Sequence, residues 1–275
     1  MTVAPVNGVN LYYEVTGKGF PLIWSHEFAG DFKSWNPQVK FFSRRYQVIT
    51  YNHRGFPPSD VPEEETAYSQ ELLVEDLHQL LRYLGIQQAF VGGLSMGANV
   101  AVNFGIAHPE MTKALIVAGA GAGTTERENF ESHLADLVRQ LEIGGWVAAT
   151  DQYARGASRI QLLRKDQKSW QEYYEELASH SSIGSILSIK GVILKRSTLF
   201  ELKPKLQQLN VPTLIVVGDE DGFCIEPSLF MKRNIPRSGL VVFAQTGHVI
   251  NLEELELFNR VVLDFLTSVE AGSWA

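Results

Sequence analysis

The stretch Ala89-Phe90-Val91-Gly92-Gly93-Leu94-Ser95-Met96-Gly97-Ala98-Asn99-Val100 decides how the rest of the chain is read. Its first half is a short apolar run, the pattern of a buried strand. From Met96 the chain reads as a helix that stops near His108, before Pro109. Gly93-x-Ser95-x-Gly97 sits at the junction. A strand that passes at once into a helix makes a sharp, strained turn, and a Cβ on either side would crowd it. Such a turn lifts the Ser95 hydroxyl off the sheet edge and points the helix N-terminus at it, where unpaired backbone N–H groups favour developing negative charge.

Working outward, the same alternation repeats. Residues 8–15 read as an edge hairpin strand with Gly17-Lys18-Gly19 as its turn. Apolar strands follow at 21–25 and 46–51, with a helix at 35–43 between them. Leucines 72, 73, 77, 80, 81 and 84 recur at helical spacing over 69–84, up to the cap Gly85, and 114–118 is a further strand. These strands are continuous apolar runs without inside–outside alternation, so they predict an α/β protein with a mostly parallel sheet covered by helices on both faces. From Gly119 to Gly123 the residues are small. Residues 124–202 then carry little strand signal and five helical stretches, at 130–141, 145–155, 158–163, 170–180 and 183–194. The expected organisation is a core of 1–123 and 203–275 with an inserted helical cap at 124–202. Strands resume at 212–217 and 240–243, and a last helix at 252–267 leaves a tail expected to fray.

A lone serine is a poor nucleophile; it needs a base, and the base needs an orienting acid. His248 lies in Thr246-Gly247-His248-Val249, just past a strand end, and imidazole takes up and returns protons near neutral pH. The strand 212–217 ends at Gly218-Asp219-Glu220-Asp221, the edge at which open parallel sheets place their sites. The pattern alone does not choose among Asp219, Glu220 and Asp221.

With these segments together, the chain resembles the α/β-hydrolase family over nearly its whole length. Gly93-Leu94-Ser95-Met96-Gly97 is similar to the family's nucleophile elbow. Gly218-Asp219-Glu220-Asp221 resembles its G-x-x-D turn, which assigns the acid to Asp221. Thr246-Gly247-His248 resembles its histidine loop, and Tyr51-Asn52-His53-Arg54-Gly55 its D-x-R-G segment. Trp24-Ser25-His26-Glu27-Phe28 resembles its oxyanion loop, which implies that the backbone N–H groups of Phe28 and Met96 form the oxyanion hole. Loss of one such donor typically costs roughly 3 kcal/mol of transition-state stabilisation. Two positions depart from the family pattern. Glu27 stands where glycine is usual, and Asn52 where aspartate is usual, so Glu27 is expected to turn away and pair with Arg54. Substrate contacts are expected from His26, Glu27, Phe28, Leu137 and Trp146, the last two from the cap.

The resemblance implies a serine hydrolase that cleaves an ester, lactone or related acyl bond through a Ser95 acyl-enzyme. A cofactor-free haloperoxidase, a perhydrolase or a carbon–carbon bond hydrolase on the same triad, and a hydrolase-like receptor, are the other readings it admits. Aspartate is absent from position 95, which disfavours epoxide and haloalkane hydrolysis. The net charge of −7 gives no reason to expect nucleic acid. The single cysteine, Cys224, excludes an internal disulfide, and no metal-ligand spacing stands out among the seven histidines. No cofactor or metal is expected. The expected partner is a small, partly apolar substrate, for a cytoplasmic monomer or homodimer with no leader and no membrane span.

Overall fold

The computed structural model describes residues 2–122 and 127–274. Among these described residues eight strands form one sheet: β1 Val3–Val6, β2 Val9–Thr16, β3 Pro21–Ser25, β4 Gln47–Tyr51, β5 Ala89–Leu94, β6 Thr112–Ala118, β7 Thr213–Gly218 and β8 Ser238–Phe243. Their spatial order is β1-β2-β4-β3-β5-β6-β7-β8. The pairs β1–β2 and β2–β4 are antiparallel and the other five are parallel. Every residue of β5 and β7 is buried, which is why those segments read as unbroken apolar runs.

Helices α1 Asn36–Phe42, α2 Gln70–Tyr83 and α3 Met96–Ala107 carry the crossovers of the first half. Between β6 and β7 come α4 Arg127–Ala154, α5 Ile160–Lys165, α6 Gln167–Ala178, α7 Ser182–Ser188 and the short α8 Lys203–Leu206. Helix α9 Gly222–Asn234 joins β7 to β8, and α10 Ile250–Glu253 and α11 Leu255–Glu270 close the chain. One face of the sheet packs Trp24, Trp35, Phe42, Phe258 and Phe265 beneath α1 and α11, with Trp24 and Trp35 stacked at 4.4 Å. The other face packs against α2, α3 and the helices inserted after β6. The chain leaves β3 toward β4 and then crosses back to β5 on the opposite side. That reversal opens a crevice beyond the carboxyl ends of β3 and β5.

Four details differ from the sequence expectation. The N-terminal hairpin is β1–β2, turning at Asn7-Gly8, where both residues have positive φ (48° and 77°). β2 then pairs with β4, so Gly17-Lys18-Gly19 links β2 to a strand that is not its neighbour. The helix α9 was not anticipated, although two adjacent parallel strands need a crossover of about this size. The helical stretches 130–141 and 145–155 form one element bent at Gly145, whose φ of 63° and ψ of −164° break the helical path. The tail does not fray through 274. Trp274 lies 4.7 Å from Phe265 ring to ring, and its indole N–H donates to the Arg237 carbonyl at 3.1 Å. Gly123 of the small-residue hinge, and the expected core–cap boundary at 123/124, lie outside the described residues.

Candidate active site

Ser95 follows β5 and caps α3 with φ 55° and ψ −110°, a conformation that is strained for any residue with a Cβ. The neighbouring structure holds it there. Its N–H donates to the Ala118 carbonyl at 2.9 Å, and its carbonyl accepts from the Asn99 backbone N–H and side chain at 3.1 and 2.9 Å. Gly97 is required by close approach: a Cβ there would lie 2.1 Å from the Ser25 carbonyl oxygen. The helix start is thereby pressed against the end of β3, where the loop 26–30 begins.

His248 is fixed from several sides. Its backbone N–H donates to the Ser158 carbonyl at 2.6 Å, and the Glu253 carboxylate accepts from Gly247 N–H at 2.6 Å and Val249 N–H at 3.1 Å. Burial pushes the Glu253 carboxyl up to about 7 against the pull of those two donors and Lys165. The His248 Nδ1–H donates to Asp221 Oδ2 at 2.7 Å, which leaves Nε2 as the nitrogen able to accept a proton. Of the three consecutive acids, Asp221 reaches the imidazole. Asp219 accepts from Thr246 N–H, and Glu220 accepts from Gln161 at 2.7 Å and pairs with Arg164 at 3.4 Å. Burial alone would raise the Asp221 carboxyl, but His248, a Cys224 hydrogen bond and Arg159 hold it below its ordinary value.

Ser95, His248 and Asp221 line one cavity of about 450 Å³ together with Phe28 and Met96. Neither the Phe28 nor the Met96 backbone N–H has a hydrogen-bond partner among the described residues. Leu137 also lines the cavity, as do Leu134, Phe130 and Tyr153.

Other expected contacts fall elsewhere. His26 is fully buried and works as a strut: its Nδ1–H donates to the Glu27 carbonyl at 2.7 Å and its Nε2 accepts from His53 N–H at 3.0 Å. Both ring nitrogens are used by backbone, so His26 offers nothing to a substrate. Trp146 donates from its indole to Ser185 Oγ at 2.9 Å and stands 6.2 Å behind the Phe28 ring, backing the cavity without lining it.

The expected Glu27–Arg54 pair does not form. Arg54 is fully engaged by Asp76 of α2, Nε to Oδ2 at 2.7 Å and Nη2 to Oδ1 at 2.6 Å, with the Ala67 and Asn7 carbonyls accepting its remaining donors. Asp76 supplies the carboxylate that Asn52 lacks. Glu27 is buried, its Oε2 has no partner, and burial raises its carboxyl despite the charges of His248 and Arg159. Its backbone is not strained, because the positive φ of this loop falls on Ala29 (60°).

Three features lay beyond sequence reasoning. Arg159 lines the cavity, donates to Tyr153 Oη at 2.8 Å and stacks 4.2 Å over that ring. Tyr153 in turn donates to the Phe28 carbonyl at 3.4 Å. Cys224 also lines the cavity, with Sγ 3.8 Å from His248 Nδ1 and 3.3 Å from the Gly119 carbonyl, and burial pushes its thiol well up. Among the described residues, two groups have ligand atoms close enough to suggest a metal, Asp221–Cys224–His248 and Glu75–His78–His108. In the first, the carboxylate and Nδ1 already engage each other. In the second, the rings of His78 and His108 stack 17° from parallel, so their in-plane lone pairs do not converge on one ion. No helix among the described residues is long and apolar enough to cross a membrane.

Residues 21–255 match the model of a family described as alpha/beta hydrolase fold. An AB hydrolase superfamily protein, YisY, of Bacillus subtilis is 27% identical, covering 94% of this chain and 96% of its own. 3-Oxoadipate enol-lactonase 1 of Acinetobacter baylyi is 26% identical over 90% of this chain and 89% of its own. The solved enol-lactonase from Burkholderia xenovorans superposes with a TM-score of 0.86 at 22% identity, covering 97% of this chain and all of that one. Relatives of this kind support a hydrolase on this fold.

Proposed function

The chain belongs to the alpha/beta hydrolase fold family, and on that premise we propose that it is a serine hydrolase that cleaves a carboxylic ester or lactone of a small, partly apolar substrate. The observation that carries this reading is the 2.7 Å contact between His248 Nδ1 and Asp221 Oδ2 at the wall of the cavity that Ser95 also lines. Ser95 Oγ attacks the acyl carbon as His248 Nε2 takes its proton. Asp221 fixes the imidazole orientation and stabilises the imidazolium. The carbonyl oxygen becomes an oxyanion held by the Phe28 and Met96 N–H groups, which are free to donate. Collapse breaks the acyl–oxygen bond, and the leaving alcohol departs with the proton from His248. Water, deprotonated by the same imidazole, then attacks the acyl-enzyme, and the acid and Ser95 are released.

The helices between β6 and β7 serve as a cap in this proposal. They supply Leu134, Leu137 and Tyr153 as the apolar wall, and the Ser158 carbonyl ties them to the His248 backbone. The test is steady-state hydrolysis of a series of p-nitrophenyl acyl esters and simple lactones. Ser95→Ala and His248→Gln are expected to lower kcat by at least about 10³-fold with folding intact by circular dichroism. Asp221→Asn is expected to lower it by about 10⁴-fold. Full turnover in Ser95→Ala contradicts an acyl-enzyme.

A further inference from the structure

The cavity holds a cation without a counter-ion. Arg159 is half-buried, and no carboxylate lies within 4.0 Å of its guanidinium among the described residues. The two acids whose charges it feels are Glu27 and Asp221, and Asp221 is committed to His248. One arm of the guanidinium donates to Tyr153, and another makes a long contact of 3.4 Å to Ser158 Oγ. Its Nε–H is buried with no hydrogen-bond partner of good geometry, and the Tyr173 hydroxyl, itself buried, is a further neutral neighbour of the guanidinium. A desolvated N–H left open is costly, the more so on a charged group, unless something else satisfies it. Its position is informative. Through Tyr153 it adjoins the Phe28 carbonyl, and so the loop proposed to hold the oxyanion. It therefore lies on the cavity that Ser95 also lines, next to the loop proposed to hold the oxyanion.

We propose that Arg159 anchors a carboxylate carried by the acyl part of the substrate, so that the substrate class is the half-ester or lactone of a short dicarboxylic acid. This rests on the serine-hydrolase reading for the reaction, but the anchor itself is a binding claim. A planar guanidinium matches a carboxylate in shape and charge, and stacking on Tyr153 pre-orients it. Arg196, on another wall, also has Nε and Nη1 without partners. It lies toward Cys224, on the acid-turn side of the cavity, and no hydrogen bond among the described residues ties it to the Phe28 loop.

The experiment compares p-nitrophenyl hemisuccinate with p-nitrophenyl butyrate, whose acyl chains differ by a terminal carboxylate in place of a methyl. The readout is the ratio of their kcat/KM values. The wild type is expected to favour the hemisuccinate by about tenfold or more, the range of one charged hydrogen bond, with the preference residing in KM. Arg159→Gln collapses the ratio toward one, Arg159→Lys keeps part of it, and Arg196→Gln keeps it. A wild-type ratio near one, or a ratio that survives Arg159→Gln, overturns the proposal, as does a ratio lost in Arg196→Gln instead. If neither ester is turned over, the hydrolase reading fails and the anchor is judged by calorimetric titration of succinate into Ser95→Ala. Binding that disappears in the Ser95→Ala/Arg159→Gln double variant upholds it, and no binding refutes it.

Discussion

Ser95 and Glu27 show how single residues set this site. Ser95 tolerates a positive φ because Gly97 lets α3 press against Ser25 and because the Ala118 and Asn99 hydrogen bonds fix the turn. Glu27 is harder to accommodate. Its burial raises its carboxyl, so the folded protein retains a proton that the unfolded chain has released. A raised folded value costs stability progressively as pH rises above the ordinary carboxylate value of 4.5. Glu27→Gln, neutral at every pH, is therefore expected to raise Tm at pH 8, with the gain shrinking toward pH 4. Differential scanning calorimetry at both pH values checks this, and an equal gain at both would show that charge is not the cause. Glu27 was legible as an anomaly. Its partner was not, because α2 brings Asp76 to Arg54 across 22 residues of sequence and no local pattern announces that pair.

At the scale of elements, the buried Arg54–Asp76 pair ties α2 to the loop after β4, with side chains 4% and 0% exposed. Arg54→Ala leaves the Asp76 carboxylate buried without its cation, and is expected to cost about 3–5 kcal/mol in urea unfolding. The bend in α4 makes a second prediction. Gly145 occupies a backbone region closed to other residues, and a Cβ there would meet Ser182 Oγ at 2.8 Å. Gly145→Ala is expected to destabilise the protein by about 1–3 kcal/mol, whereas the same change in a straight helix would stabilise it by about 1 kcal/mol. The elements themselves were mostly readable, because buried parallel strands such as β5 and β7 are unbroken apolar runs. β1 escaped notice because it is four residues long and alternates exposed and buried. α9 escaped because Pro227 interrupts its pattern. Which side of a helix faces the cavity was not readable: Leu137 lines it, while Trp146, from the same element, points toward Ser185.

At the scale of the whole molecule, the fold followed from a repeated local signal, whereas the site depends on segments far apart in sequence. The elbow, the acid turn and the histidine loop each carry local marks. Arg159, Tyr153 and Cys224 join them only through the packing of the inserted helices and α9, which no spacing encodes. Two neutral histidines, His26 and His53, lie buried against each other, Tyr51 and Phe56. Burial lowers His26 well below its ordinary value and His53 to about 3. The unfolded chain takes up protons there below 6.5 while the folded chain does not, so both residues cost stability as pH falls from 6.5 toward 3. His53, whose ring nitrogens have no partner, is the cleaner test. His53→Phe is expected to move the acid-unfolding midpoint to lower pH, measured by tryptophan fluorescence, and an unmoved midpoint would assign the acid limb to other groups.

Every step proposed for this site depends on Ser95 being a nucleophile activated by His248. A fluorophosphonate probe tests it in one reaction. A single adduct is expected on the peptide containing Ser95, located by mass spectrometry, absent in Ser95→Ala and formed at least about 10³-fold more slowly in His248→Gln. A wild-type protein that stays unlabelled by small and large probes alike, or one labelled equally fast without the His248 imidazole, would contradict it.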